Sequence, residues 1–266
     1  MAGIHANAVV DPGATLGEGV SIGPFCVVGA DVELGEGAVL HSHAVVEGRT
    51  RIGPRCEIFP FASIGHRPQD LKYRGESSEL LVGADNTIRE YVTMNPGTEG
   101  GGMMTRVGDG CLFMMGAHVA HDCQIGDRVI MANNATLAGH VVVEDGAIIG
   151  GLSAVHQFVR IGRGAMIGGM SGVEHDVIPY GLVMGERARL SGLNIVGLKR
   201  GGHSREDILA LQDAYRLLFN GAGTMAERVD ALAAKLPGPG PITDLLSFVR
   251  SESPRALCQP KAEHDG

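Results

Sequence analysis

The chain has 266 residues, a net charge of −8 and 41 glycines, but no tryptophan, four tyrosines and seven phenylalanines. The acidic balance argues against nucleic acid as the main partner, and no run of about eighteen apolar residues offers a membrane span. Aromatic rings bury the most area per residue, so their scarcity points to an interior too narrow to hold them.

The N-terminus, Met1-Ala2-Gly3-Ile4-His5, has no basic stretch leading into an apolar one, so no signal peptide is expected. From Ile4 onward every sixth residue is a branched aliphatic: Val10, Leu16, Ile22, Val28, Leu34, Leu40, Val46, Ile52, Ile58, Ile64. Four residues after each stands a small side chain, from Ala8 and Ala14 to Cys56 and Ala62. A period of six cannot be an amphipathic helix, whose apolar face recurs at three and four. It fits a short strand followed by a turn. Three such units close one triangular coil of eighteen residues, and stacked coils pair strand to strand at about 4.8 Å. The expectation is an all-β solenoid plus α: a prism of parallel strands over residues 1–180.

Two polar stretches interrupt the run. Residues 66–81 carry Pro68 and Gly75, and residues 95–106 carry Gly100-Gly101-Gly102. Both read as loops leaving the prism, where function concentrates. The hexads resume at Val107 and continue through Val119, Ile125, Leu137, Val143, Val155 and Val173. Cys26, Cys56, Cys111 and Cys123 fall on the small inward positions and read as core. The odd total of five cysteines, with no Cys-x-x-Cys, fits a reducing cytoplasm.

Histidines gather in the second run. His121, His140 and His156 belong to hexads beginning at Val119, Leu137 and Val155, eighteen residues apart, so those hexads stack on successive coils. His118 ends the preceding hexad. None of the four occupies an inward position. Such an edge suits either zinc held by three imidazoles or general base catalysis by one histidine, with Asp122 placed to orient His121.

After Pro179 the hexads stop. Residues 180–201 read as an irregular crossing segment. Ser204 with Asp207 starts a helix that Asn220-Gly221 ends, and Thr224 with Glu227 starts a second that the run Pro237 to Pro241 breaks. A third is expected over 243–250. The segment 181–266 is thus a crossing followed by a helical appendage.

The segments Phe61 to Gly65, Gln69 to Tyr73, Ala117 to Cys123, Ala132 to His140, Ala154 to Phe158, Asn194 to Arg200 and Ser204 to Glu206 resemble, in order, those of the UDP-N-acetylglucosamine acyltransferases that begin lipid A synthesis. The resemblance covers nearly the whole chain. It implies a left-handed parallel β-helix with a C-terminal helical domain. It also implies transfer of an (R)-3-hydroxyacyl group from acyl carrier protein, on its phosphopantetheine arm, to the sugar 3-position, with no other cofactor and no metal. By that resemblance His121 is the general base, Asp122 positions it and Gly139 offers its N–H to the oxyanion. Gln69, Asp70, Lys72, His140 and Gln157 hold sugar and diphosphate, His118 and His156 line the site, and Asn194 and Arg200 contact the nucleotide. Gly169 stands where the acyl groove ends. The resemblance further implies a homotrimer with active sites between subunits.

A related enzyme N-acylates a UDP-3-O-acylglucosamine, but the Gln69 to Lys72 loop and the Asn194 to Arg200 stretch favour the first-step enzyme. Two departures stand out: Asn95-Pro96 where the family commonly has His-Arg, and Val196 where it often has Glu. The first raises the alternative of a 3-amino UDP-sugar acceptor, which would give an amide. The mildly basic stretch from Leu182 to Asn220, six Lys/Arg against four acids, could steer an acidic carrier protein.

Overall fold

The computed structural model describes residues 3–234 and 240–261. Three parallel sheets of eleven, nine and eight strands form the faces of a triangular prism, and each chain turn visits all three. Most strands are two residues long, because the chain must bend at a corner every six residues. Registers advance by one coil: His118 pairs with Thr136 and Val119 with Leu137, and these in turn with Ala154 and Val155. This is the left-handed parallel β-helix expected.

The two inward series fill the prism. Ile22, Leu40, Ile58, Ile88, Met131, Leu137, Ile149 and Ile161 are fully buried, and so are Ala38, Ala62, Ala117 and Ala147. Of the buried rings only Phe113 belongs to the hexad series. All five cysteines are buried and free. Burial drives the Cys123 thiol up to about 12, so it is no nucleophile.

Corners turn through left-handed backbone. Between the first and second faces these residues include Phe25, His43, Phe61, Tyr91, Leu152 and Met170, and between the second and third Asp122, His140 and Phe158. Most L-residues pay for that conformation. Here the pairing on both sides of each corner holds it.

Both excursions are shorter than expected. Glu79–Val82 already pairs with Arg49–Ile52, since Leu80 and Val82 alternate inward, so the first loop ends at residue 78. Met104–Val107 rejoins the third face in the same way, leaving 95–103 as the second loop, with one short turn at Glu99–Gly101.

The crossing segment is regular, contrary to expectation. Gly181–Met184 adds to the first face parallel to residues 166–167, then pairs antiparallel with Arg189–Leu193. Inward Val183 and Leu190 are both buried, a period-two signal too short to stand out in the sequence. Helix α1 (Ile195–Arg200) follows, then α2 (Arg205–Asn220), α3 (Met225–Ala233) and α4 (Pro241–Arg250). Ser204–Asp207 and Thr224–Glu227 both form the full capping box. Helix α4 begins two residues before the expected Thr243, because Pro241 fits a first turn, where no N–H is needed. The breaker residues Pro237 to Pro239 lie outside the described residues.

Helix α2 buries Ile208, Leu211, Ala214 and Leu218. The guanidinium of Arg160 joins prism to appendage: it pairs with buried Asp176 at 2.7 Å and lies 4.4 Å over the Phe248 ring. The tail then returns to the prism, with Leu257 bridging Asp176 and Pro260 bridging Leu190.

Candidate active site

Asp122, His140 and Phe158 occupy the same corner on successive coils, at φ values of 61°, 62° and 66°. Stacking therefore follows from the repeat. His140 lies flat on Phe158, ring centres 4.4 Å apart and planes 8° apart, and meets His121 edge-on at 5.1 Å.

His121 Nδ1 donates to Asp122 Oδ2 at 2.8 Å. That carboxylate is buried and held from the other side by the second loop. Thr98 N–H donates to Oδ1 at 2.9 Å and the Thr98 hydroxyl to Oδ2 at 2.6 Å, while Asp122 N–H donates to the Thr105 hydroxyl at 2.7 Å. Gly101 packs so tightly on the carboxylate that any Cβ there would collide with it. The glycine-rich insertion thus lets main chain approach Asp122. With Nδ1 committed as donor, the free lone pair of His121 is on Nε2.

The other face of His121 lies against Gly139, which is buried and whose N–H donates to no described residue. An open lone pair and an open backbone donor therefore stand beside one another. His118 accepts or donates at 2.7 Å with the Thr93 hydroxyl, and burial, with some help from His121, lowers its pKa below the ordinary value. Desolvation also lowers the His140 pKa. Asp122 opposes that shift, His121 adds to it, and the first-loop charges of Asp70 and Lys72 act on the ring in opposite directions.

Within that loop Lys72 N–H donates to Asp70 Oδ1 at 2.9 Å, and Gln69 is exposed. His156 and Gln157 lie on the next coil and are exposed, but His156 turns to Arg255, which donates to its Nδ1 at 2.7 Å. The equal spacing of the three hexads therefore does not converge three imidazoles: His121, His140 and His156 occupy the second, third and first positions after their strands, so their side chains leave the corner differently. His121, Asp122 and His140 each offer a ligand atom within 4.8 Å of the others. Both Asp122 oxygens are already engaged by protein donors, and His156 faces a guanidinium, so the donor set suits a positioned base better than a metal ion.

Asn194, Arg200 and Gly169 lie elsewhere. Asn194 and Arg200 line a cavity of about 1040 Å³ between the first face and α1, with Tyr180, Met166, Met184 and Val196. Asn194 is buried and caps α1, accepting from Gly197 N–H at 2.9 Å and donating to Gly164 O at 3.1 Å. Gly169 sits at the corner between first and second faces, beside Met170. Asn95 is buried and donates to the main-chain oxygens of His66 and Arg67, at 2.9 and 3.3 Å, so it ties the two loops together.

Four contributors escaped the sequence reading: Thr98, Thr105, Phe158 and Arg255. Thr98 and Thr105 gave no signal apart from the glycines around them, and Arg255 is brought in by a tail far along the chain.

A coiled prism with a histidine–carboxylate pair and an open main-chain donor on one edge belongs to the hexapeptide-repeat transferases. The family model described as bacterial transferase hexapeptide matches residues 13–48 and 104–139, and that described as UDP-N-acetylglucosamine O-acyltransferase, domain 2, matches 176–258. The acyl-[acyl-carrier-protein]–UDP-N-acetylglucosamine O-acyltransferase of Azorhizobium caulinodans is 55% identical over 257 residues, covering 97% of this chain and 95% of that one. That of Rickettsia canadensis is 52% identical, covering 96% and 97%. The crystal structure of the UDP-N-acetylglucosamine O-acyltransferase of Moraxella catarrhalis superposes with a TM-score of 0.92 at 40% identity, covering 96% and 99%. The chain belongs to the UDP-N-acetylglucosamine acyltransferase family and is an acyltransferase.

Proposed function

We propose that the protein transfers an (R)-3-hydroxyacyl group from acyl carrier protein to the 3-hydroxyl of UDP-N-acetylglucosamine, the first step of lipid A biosynthesis. The observation that carries this reading is the free His121 Nε2 beside the free Gly139 N–H, with Nδ1 committed to Asp122. Nε2 removes the proton from the sugar hydroxyl as its oxygen attacks the thioester carbonyl. The Gly139 N–H receives the oxyanion, a preorganised contact worth about 3 kcal/mol. Collapse expels the phosphopantetheine thiolate, which takes the proton back from His121. No covalent acyl-enzyme, cofactor or metal is needed. The names of the relatives, all O-acyltransferases, favour the ester over the amide.

The working unit is a homotrimer in this reading. The corner between first and second faces exposes the apolar side chains Phe25, Phe61, Tyr91, Leu152 and Met170, the first three joined into a stacked ridge through the His43 ring. Such ridges are covered in symmetric assemblies. Three copies meeting along it would set the histidine corner of one against the first-face cavity of the next, joining His121 to Asn194 and Arg200. The outward positions of the second face shrink from His118 through Thr136 and Ala154 to Gly172, leaving room along it for an acyl chain that ends near Gly169. In this reading the enzyme works in the cytoplasm; among the described residues no helix is long and apolar enough to cross a membrane.

The test is mass spectrometry of products from chelator-treated enzyme, given UDP-N-acetylglucosamine or its 3-amino analogue with a panel of hydroxyacyl carrier proteins. A 3-O-hydroxyacyl product formed without metal is expected. Strong preference for the amino sugar, or activity that returns only with zinc, would overturn the reading.

A further inference from the structure

We propose that Arg255 is a positioning residue for the reaction, fixing the His156 ring as an Nε2–H donor aimed at an acceptor oxygen of the bound substrate. The proposal rests on the histidine corner being the active site. An arginine has donors only and keeps its charge, so His156 Nδ1, 2.7 Å from Arg255 Nη2, must be the accepting nitrogen. The competing arrangement, Nδ1–H donating to the Gln157 carbonyl, has a longer contact of 3.3 Å, and Arg255 Nε already donates to that oxygen at 3.1 Å. One guanidinium therefore fixes both the tautomer of His156 and the main chain at Gln157. The ring proton is left on Nε2, which has no partner among the described residues.

Arg255 is itself firmly placed. The tail around it bonds to the prism through Asp176 N–H to Ala256 O at 2.9 Å and Cys258 N–H to Asp176 O at 2.8 Å, and Cys258 is buried beyond it. Asp176 is in turn locked by Arg160, whose N–H and Nε donate to its two oxygens at 2.8 and 2.7 Å. A chain end more than ninety residues away in sequence thus sets the state of a ring at the active corner. His156 differs in this from His121: the acidic partner of His121 leaves an open lone pair, whereas the cationic partner of His156 leaves an open N–H. The corner would carry one base and, leaving it in another direction, one donor, whose natural acceptors are the diphosphate oxygens of the sugar nucleotide.

The experiment uses full-length protein with ¹⁵N-labelled histidine rings, the His156 signal being assigned by its loss in His156→Asn. The expected result is an Nε2–H ring in the wild type and a mixed or Nδ1–H ring in Arg255→Met. Arg255→Lys, which keeps a donor without an acceptor, should retain the tautomer and most of the rate. In kinetics Arg255→Met should lose about tenfold in kcat/KM, the scale of one hydrogen bond to a charged or reacting group, and less than about twofold when His156 is already Ala. An Nδ1–H ring in the wild type would overturn the proposal. So would an unchanged ring in Arg255→Met, or an equal loss with and without His156. The ring signal needs no turnover, so it reads the positioning role separately from whether the chain transfers acyl groups.

Discussion

A methyl group on Gly139 would stand 2.5 Å from His121 Cε1 and 2.7 Å from its Nε2. The ring lies directly on the main chain of the next coil, and only glycine allows that. Gly139→Ala is therefore expected to push the imidazole off its line to Asp122 and lower kcat/KM by about 100-fold, the usual cost of a reacting group displaced by an ångström. The coil should survive, since the new methyl meets a side chain and not a strand. Steady-state kinetics beside a thermal melt checks this; activity within twofold of wild type would contradict it.

Asp122 is expected to matter through the tautomer it imposes. In Asp122→Asn the amide no longer holds the proton on His121 Nδ1, and kcat should fall by about 10³-fold. Thr98→Val removes the hydroxyl from a buried carboxylate but leaves the Thr98 N–H bond to Oδ1. About a tenfold loss in kcat with little change in KM is expected. A larger effect on KM than on kcat would mean that Thr98 serves binding instead.

The prism was legible because a six-residue period repeats often enough to fix the phase of every residue, and phase alone buried Cys123 and turned His121 outward. The corner itself was less legible. His156 shares the eighteen-residue spacing of the hexads, yet it stands one place after its strand where His140 stands three, so it leaves the corner in another direction. Thr98 was hidden because it sits in a loop with no repeat phase, where only the fold brings its hydroxyl and N–H onto the Asp122 carboxylate. Arg255 was hidden because its partners come from a tail crossing back over the prism, a contact with no local pattern. The short strands at 181–184 and 189–193 were read as irregular for want of length.

Shared sites make a sharp prediction. His121→Ala and Arg200→Ala each disable a different half of the proposed site, so each homotrimer should be nearly inactive. Trimers formed by coexpressing the two should recover activity, about a quarter of wild type for random mixing. Activity of the whole coexpressed pool is the check, and trimers purified as mixed should show about a third, one intact site of three. No recovery would contradict a site built across the interface.

Stability should depend on pH through His118 and His140. Both resist protonation in the folded chain because they are desolvated. The unfolded chain takes up those protons near pH 6.5, so it binds more protons than the native state below that pH. Their contribution is thus fully present above pH 6.5 and lost as pH falls through the lowered folded values. His118→Asn should flatten the decline of the melting temperature between pH 7 and 5. An unchanged slope would show that burial at this position does not govern it.

The most direct test is the single-turnover rate of acyl transfer to UDP-N-acetylglucosamine by His121→Ala, with the product confirmed by mass and the fold by melting. A loss of about 10³-fold or more is expected, with substrate binding retained, because the alanine removes the imidazole lone pair placed beside the Gly139 donor. A folded variant that forms the same product within a few-fold of the wild-type rate would show that His121 is not the base.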